Sequence, residues 1–302
     1  MAFVRQLCNS NAAMATRRLL TMLLLLLCGR DAFAFETWQV QERELRVDVT
    51  AYGKFAAKQY QHRGEPFDLL DQHSPGSYQQ LGTLLGAEFG LFDKVALFVG
   101  TSFRSDTLRS EFGSAHVTGM SDFRLGGKWR VVDSSFTLTL APELAFPTGY
   151  SASNGAMRPV LGDGVNQYTA RVWLGKRFTG APFYFELGSG YRLRGGRIPR
   201  GGGPRVNYSD EVPYDVEAGY WFTRSFAAHL FLDGVAGLSK PEALDRATLS
   251  PTMRSFTNVG GGLTYRINQL FRLHAQYRHT VMGINALRGQ FAGLGLTLNY
   301  GI

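Results

Sequence analysis

The chain has 302 residues, 44% of them hydrophobic, with 36 glycines, two cysteines and a formal net charge of +8. The basic residues are scattered at strand spacing and form no block, which argues against a nucleic-acid partner. Two cysteines near the amino end, Cys8 and Cys28, cannot staple a disulfide-rich secreted domain.

The amino end reads as a targeting segment. Arg17 and Arg18 precede the apolar run from Leu19 to Leu27, and Ala32-Phe-Ala34 follows as a small-x-small site. A charged region, a short apolar region and a cleavage site together make a secretory signal peptide, with cleavage expected after Ala34. The run falls short of the ~20 apolar residues that span a bilayer as a helix. Translation could also begin at Met14, and Leu27 stands before Cys28 where a lipoprotein signal needs a small residue. Cleavage would remove both cysteines, four arginines and Asp31, lowering the charge from +8 to +5. The predicted division is therefore residues 1–34 as signal and 35–302 as one domain.

Past Ala34 the dominant pattern is period two. Twelve strands are predicted at 44–58, 78–91, 95–105, 118–131, 134–146, 165–178, 182–195, 212–222, 225–236, 253–266, 270–282 and 290–302. Each alternates an apolar face with a polar one, as in Val95/Leu97/Val99, Phe136/Leu138/Leu140 and Phe271/Leu273/Ala275. The connections alternate too. Short ones fall at 91–94, 132–135, 179–182, 223–225 and 267–270. Long ones fall at 59–77, 106–117, 147–164, 196–211 and 237–252, with a shorter one near 283–289. The last nine residues carry the clearest signal: Leu294, Leu296, Leu298, Tyr300 and Ile302 alternate with Gly295, Thr297, Asn299 and Gly301. Strands with one apolar face, short turns at one end and long loops at the other describe an all-β fold, a transmembrane antiparallel β-barrel of the bacterial outer membrane. Lipids would cover its outer face, and its carboxyl-terminal strand would engage the barrel-assembly machinery.

The middle of the chain carries a resemblance. Ser121-Asp-Phe-Arg-Leu-Gly-Gly-Lys-Trp129 precedes Glu143-Leu-Ala-Phe-Pro-Thr-Gly149, Leu161-Gly-Asp-Gly164 and Tyr168-Thr-Ala-Arg-Val-Trp-Leu-Gly175. This resembles the outer-membrane transporter-like family associated with the meta-pathway of phenol degradation, over residues 118–178. The resemblance implies a barrel that passes small molecules, aromatic ones among them. Read from the residues alone, Pro147-Thr-Gly149 is a strand terminator, since Pro147 cannot donate to a ladder and Gly149 permits a turn.

If the apolar faces meet lipid, the opposite parity lines the lumen. It carries Arg46, Lys54, Arg124, Lys128, Arg171, Arg192, Arg272 and Arg278, facing Glu143, Glu186, Asp215, Glu217 and Asp233. These charges suit either a network of ion pairs that sets the barrel's shape or a weakly anion-favouring pore. Strands six to ten add inward Trp173, Tyr184, Trp221, Phe231 and Phe256, with Gly188 and Gly190 beside them as expected openings for a flat solute.

Catalysis finds little support. A wall lipase needs a serine activated by histidine, and no histidine is followed two residues later by serine; Ser114 precedes His116 in a predicted loop. No metal-ligand spacing or phosphate loop occurs, so no cofactor is expected. The leading expectation is a passive channel for small, aromatic or hydrophobic compounds. The alternative is a non-transporting structural or adhesive barrel acting through its long loops.

Overall fold

The computed structural model describes residues 40–60, 64–68, 76–110, 113–148, 159, 161–178, 180–197, 206–239 and 252–301. The signal segment, its cleavage site and Gly149 lie outside the described residues. Twelve wall strands follow in chain order: β1 (Glu44–Tyr60), β2 (Ser77–Phe92), β3 (Val95–Ser110), β4 (Gly113–Met120 continuing as Phe123–Asp133), β5 (Thr137–Phe146) and β6 (Gln167–Arg177). The second half holds β7 (Phe183–Arg194), β8 (Glu211–Trp221), β9 (Phe226–Gly237), β10 (Ser255–Arg266), β11 (Phe271–Ile284) and β12 (Ala286–Gly301). Each pairs antiparallel with its neighbour in sequence, and β12 pairs back onto β1 from Glu44↔Gly301 to Tyr60↔Ala286. The sheet is thus a closed twelve-stranded barrel with no free edge.

Closure lets the alternation act as a wall. Val49, Leu85, Val99, Leu125, Leu144, Leu187, Leu263, Leu273 and Leu296 are exposed on the outside. In water such a surface would aggregate; in lipid it is the stable arrangement. Exposed aromatics mark both rims. Phe92, Trp129, Phe178, Phe222, Tyr265 and Tyr300 ring the short-turn end, and Phe103, Phe146, Tyr168 and Tyr191 the other. Aromatic side chains settle at the two membrane interfaces, so these belts bracket the hydrocarbon layer of the outer membrane.

Two predicted connections fold differently. The expected loop at 106–117 is mostly a hairpin, in which β3 and β4 continue their ladder from Phe103↔Met120 to Ser110↔Gly113. His116 therefore sits on a strand, hydrogen-bonded to Thr107 and Thr118. The expected connection at 283–289 shrinks to Asn285, which takes φ 49° between β11 and β12. Asn tolerates this left-handed conformation better than most residues. Parity is also broken locally. The register slips between Ala56 and Lys58, so Gln59 turns inward and is buried while Lys58 is exposed.

Candidate functional site in the barrel lumen

At the short-turn end polar contacts gather inside the lumen. Glu88 accepts from Lys128 at 2.8 Å and from the backbone N–H of Val40 at 3.2 Å, with Arg46 at 3.9 Å. Val40 is 1% exposed, so the chain just before β1 tucks inside the rim. Arg46 Nε also donates to Asn299, and Thr297 to Asp48. Arg272 stands inward between Thr297 and Arg266 in the ladder.

Along β6 to β10 the lumen face is packed. Arg171 and Trp173 Nε1 both donate to Asp215, and the guanidinium lies 4.8 Å from the indole centroid. The Tyr184 hydroxyl donates to Glu217 at 2.5 Å, and Glu186 is the ladder partner of Glu217. The glycines here are sockets. A Cβ on Gly188 would sit 2.3 Å from an Asp215 oxygen and 2.4 Å from Trp173, and one on Gly219 2.1 Å from the Tyr184 ring. On Gly190 it would meet the Ala170 carbonyl and Arg171, and on Gly260 the Phe231 ring. Each large side chain thus lies flat over a neighbouring strand where a methyl group would collide.

This corrects the expectation that Gly188 and Gly190 leave room for a solute. Tyr184 and Trp221 are 1% and 5% exposed and cluster with Ala227, so they are wall packing. Phe231 carries Arg278 on its ring at 5.1 Å. Of the expected aromatic path, Phe256 borders the open volume.

At the long-loop end a segment packs into the mouth. Residues 161–166, between β5 and β6, start beside β4, where Leu161 lies against Gly119 and the Asp163 N–H donates to Asp122. The Asp163 carboxylate accepts from both terminal nitrogens of Arg254 at 2.9 Å and lies 3.3 Å from Arg194. Gln167 donates to it at 3.0 Å. Arg194 and Arg254 converge in turn on Glu211 at 2.9 Å each, and Arg192 joins at 2.9 Å. Asp163 thus ties Asp122, beside β4, and Arg194, on β7, to the side chain of Arg254, which reaches over from just before β10, and the segment straps this part of the mouth. Burial alone would raise the Asp163 carboxyl, but Arg254 and Arg194 outweigh it and hold the group below the usual carboxylate range.

Beneath the strap, between β1–β4 and β10–β12, lies a cavity of about 390 Å³. Among the described residues its wall carries Lys54, Arg104, Arg124, Arg254 and Arg278 against one carboxylate, Asp233. The apolar part of the wall comes from Leu84, Leu287, Phe256 and Phe291, with Phe291 stacked on Tyr52 at 5.2 Å across the β1–β12 seam. Asp163 was quoted only within the Leu161-Gly-Asp-Gly164 motif, and Arg254, Arg104, Tyr52 and Phe291 were not singled out in the sequence. Tyr52 and Phe291 sit at inward parity and could have been, whereas the long-range contacts of Asp163 leave no local signal. No group of three metal-ligating side chains occurs among the described residues.

Comparison with protein-family models and with curated proteins gives no match. Solved structures do match. An outer membrane channel from Pseudomonas putida F1 superposes with a TM-score of 0.70 at 12% identity, over 89% of this chain and 100% of that one. The NanC porin gives 0.47 at 12% identity over 83% and 98%, and the CymD monoaromatic hydrocarbon channel 0.45 at 10% over 87% and 90%. At these identities the likeness concerns the fold alone, that of an outer-membrane β-barrel, and it rests on the superposition at 0.70.

Proposed function

We propose that this protein is a passive outer-membrane channel for small solutes. The observation that carries the reading is the lumen cavity. Its volume of about 390 Å³ lies in the range of small-molecule sites, roughly 300–1,000 Å³. A barrel serving only as a structural element would be expected to fill that space as it fills the β6–β10 wall. Likeness to an outer membrane channel over the whole of that chain supports the reading, as does the resemblance of residues 118–178 to a transporter-like family of phenol degradation. Small aromatic compounds are therefore solutes to try first.

On this reading a solute held in the cavity leaves past the Glu88–Lys128 contact toward the periplasmic rim. The strap and these contacts narrow the lumen, so the channel should conduct in small steps and admit only small molecules. Purified, heat-modifiable protein in liposomes should admit small neutral solutes faster than protein-free liposomes. Inserted protein that passes no small solute and no ions would overturn the reading in favour of a structural or adhesive barrel.

A further inference from the structure

We infer that the lumen cavity is a binding site for small organic monocarboxylates that carry a compact apolar body. The inference rests on the channel reading for its purpose, naming what the channel selects, but the site can be tested apart from transport. The argument begins with the charges. Arg254 is committed to Asp163 and Glu211, Arg278 lies 3.3 Å from Asp233, and Arg104 lies 3.4 Å from Asp106. Two cations remain. Arg124 reaches only to 4.0 Å from Glu143, with its side chain 55% exposed to the lumen. Lys54 makes no ion pair among the described residues, although it stands in a strand ladder next to Gln80 and Phe291 and faces the same cavity as Arg104. A bound anion would give Lys54 the close counter-charge that no described carboxylate supplies at ion-pair distance.

The rest of the wall says what kind of anion. Beside the cations lie Leu84, 39% exposed although it points into the lumen, and Leu287, Phe256 and Phe291. Inorganic phosphate or chloride would leave that surface wet. A neutral hydrocarbon would leave Lys54 without a partner. A carboxylate joined to a ring or short hydrocarbon body satisfies both sides at once, and one negative charge suits the small cationic surplus. Arg278, fixed between the rings of Phe231 and Phe291 at 5.1 and 4.8 Å, holds that side of the wall rigid.

Sodium benzoate is the probe, titrated calorimetrically into the folded, full-length protein in detergent. Saturable one-site binding is expected. Benzyl alcohol, which lacks the charge, and sodium acetate, which lacks the body, should each bind about tenfold more weakly or worse. Lys54→Gln and, independently, Arg124→Gln should each weaken benzoate by about tenfold, since each removes a charge-assisted contact. Lys94→Gln, in an exposed periplasmic turn, should leave binding unchanged. Heat-modifiable migration establishes folding for each variant; if one fails to fold, the other and the ligand series decide. The inference is overturned if benzoate gives no saturable signal, if phosphate and acetate bind as tightly, or if both lumen variants match the wild type. Neutral-solute flux with no benzoate binding removes the site and leaves the channel. Saturable benzoate binding without any flux removes the channel and leaves the site.

Discussion

Removing the Asp163 carboxylate should open the mouth of the barrel. The group accepts two hydrogen bonds from Arg254 at 2.9 Å and one from Gln167 at 3.0 Å, with Arg194 at 3.3 Å. Taking away one partner of a buried ion pair costs about 3–5 kcal/mol, because the guanidinium groups left behind lose one of their two carboxylates. At about 1.4 kcal/mol per factor of ten, the balance between strap docked and strap released would shift by about two to three and a half orders of magnitude. In Asp163→Ala, Leu161 and Val165, now 4% and 3% exposed, have only their own packing to hold them inside. Glu211 still receives Arg192, Arg194 and Arg254, so the wall beneath should survive. Single-channel recording in planar bilayers should show a larger mean conductance with more open-state noise, from protein that still migrates as a folded barrel. Unchanged conductance in both Asp163→Ala and Asp163→Asn would refute the strap as the narrowest element.

The same contact sets a pH window. The folded carboxyl is depressed, so its contribution is complete above the unfolded value of about 3.9 and is lost only as pH falls through the lower folded value. Wild-type conductance at constant salt should stay level from pH 8 down to about 4 and rise, if at all, only in stronger acid. A rise centred near neutral pH would place the latch elsewhere.

Three further outcomes follow from side-chain placement. Leu84 and Leu85 are adjacent and similarly exposed, but Leu85 meets lipid and Leu84 the cavity. Leu85→Arg should therefore cost roughly 2–4 kcal/mol and lower the folded fraction after detergent refolding, while Leu84→Arg should fold; equal yields would break the register. Tyr184→Phe removes the donor to Glu217 inside a packed wall and should cost about 1.5–3 kcal/mol in denaturant unfolding, with conductance unchanged. A conductance change would return Tyr184 to the solute path. Gly219→Ala places a methyl group 2.1 Å from the Tyr184 ring and should destabilise by roughly 1–3 kcal/mol, an effect that Tyr184→Ala in the same chain should relieve.

The barrel is legible because lipid outside and polar groups inside impose a two-residue period that Leu294 to Tyr300 display without interruption. Strand number and the beat of turns come from the same constraint. Where the constraint is relaxed, the reading drifts. Above the membrane, Asp106–Ser110 and Gly113–Val117 pair as a hairpin although their outer face carries Thr107, Arg109, Ser114 and His116, with no lipid to demand an apolar stripe. At Ala56/Lys58 a slipped register exchanges inside for outside, and a two-residue period cannot anticipate its own interruption.

Lumen chemistry is harder to read than the wall, since parity gives the direction of a side chain but not what lies opposite. Gly188 and Trp173 are inward on neighbouring strands; only their being ladder partners makes the glycine a socket for the ring rather than a gap. The same applies to Gly219 under Tyr184 and Gly260 under Phe231, so strands six to ten trade apparent space for stiffness. Space survives where aromatic rings pair with each other instead. Tyr52 stacks on Phe291 across the closing seam and Arg278 caps Phe291, while Leu84 stays 39% exposed to the cavity. The barrel therefore divides into a rigid half, where charge and ring are matched contact by contact, and an open half, where cations outnumber their partners. Matched groups hold a wall. Unmatched cations beside apolar surface are what a channel needs in order to favour one kind of passenger over water.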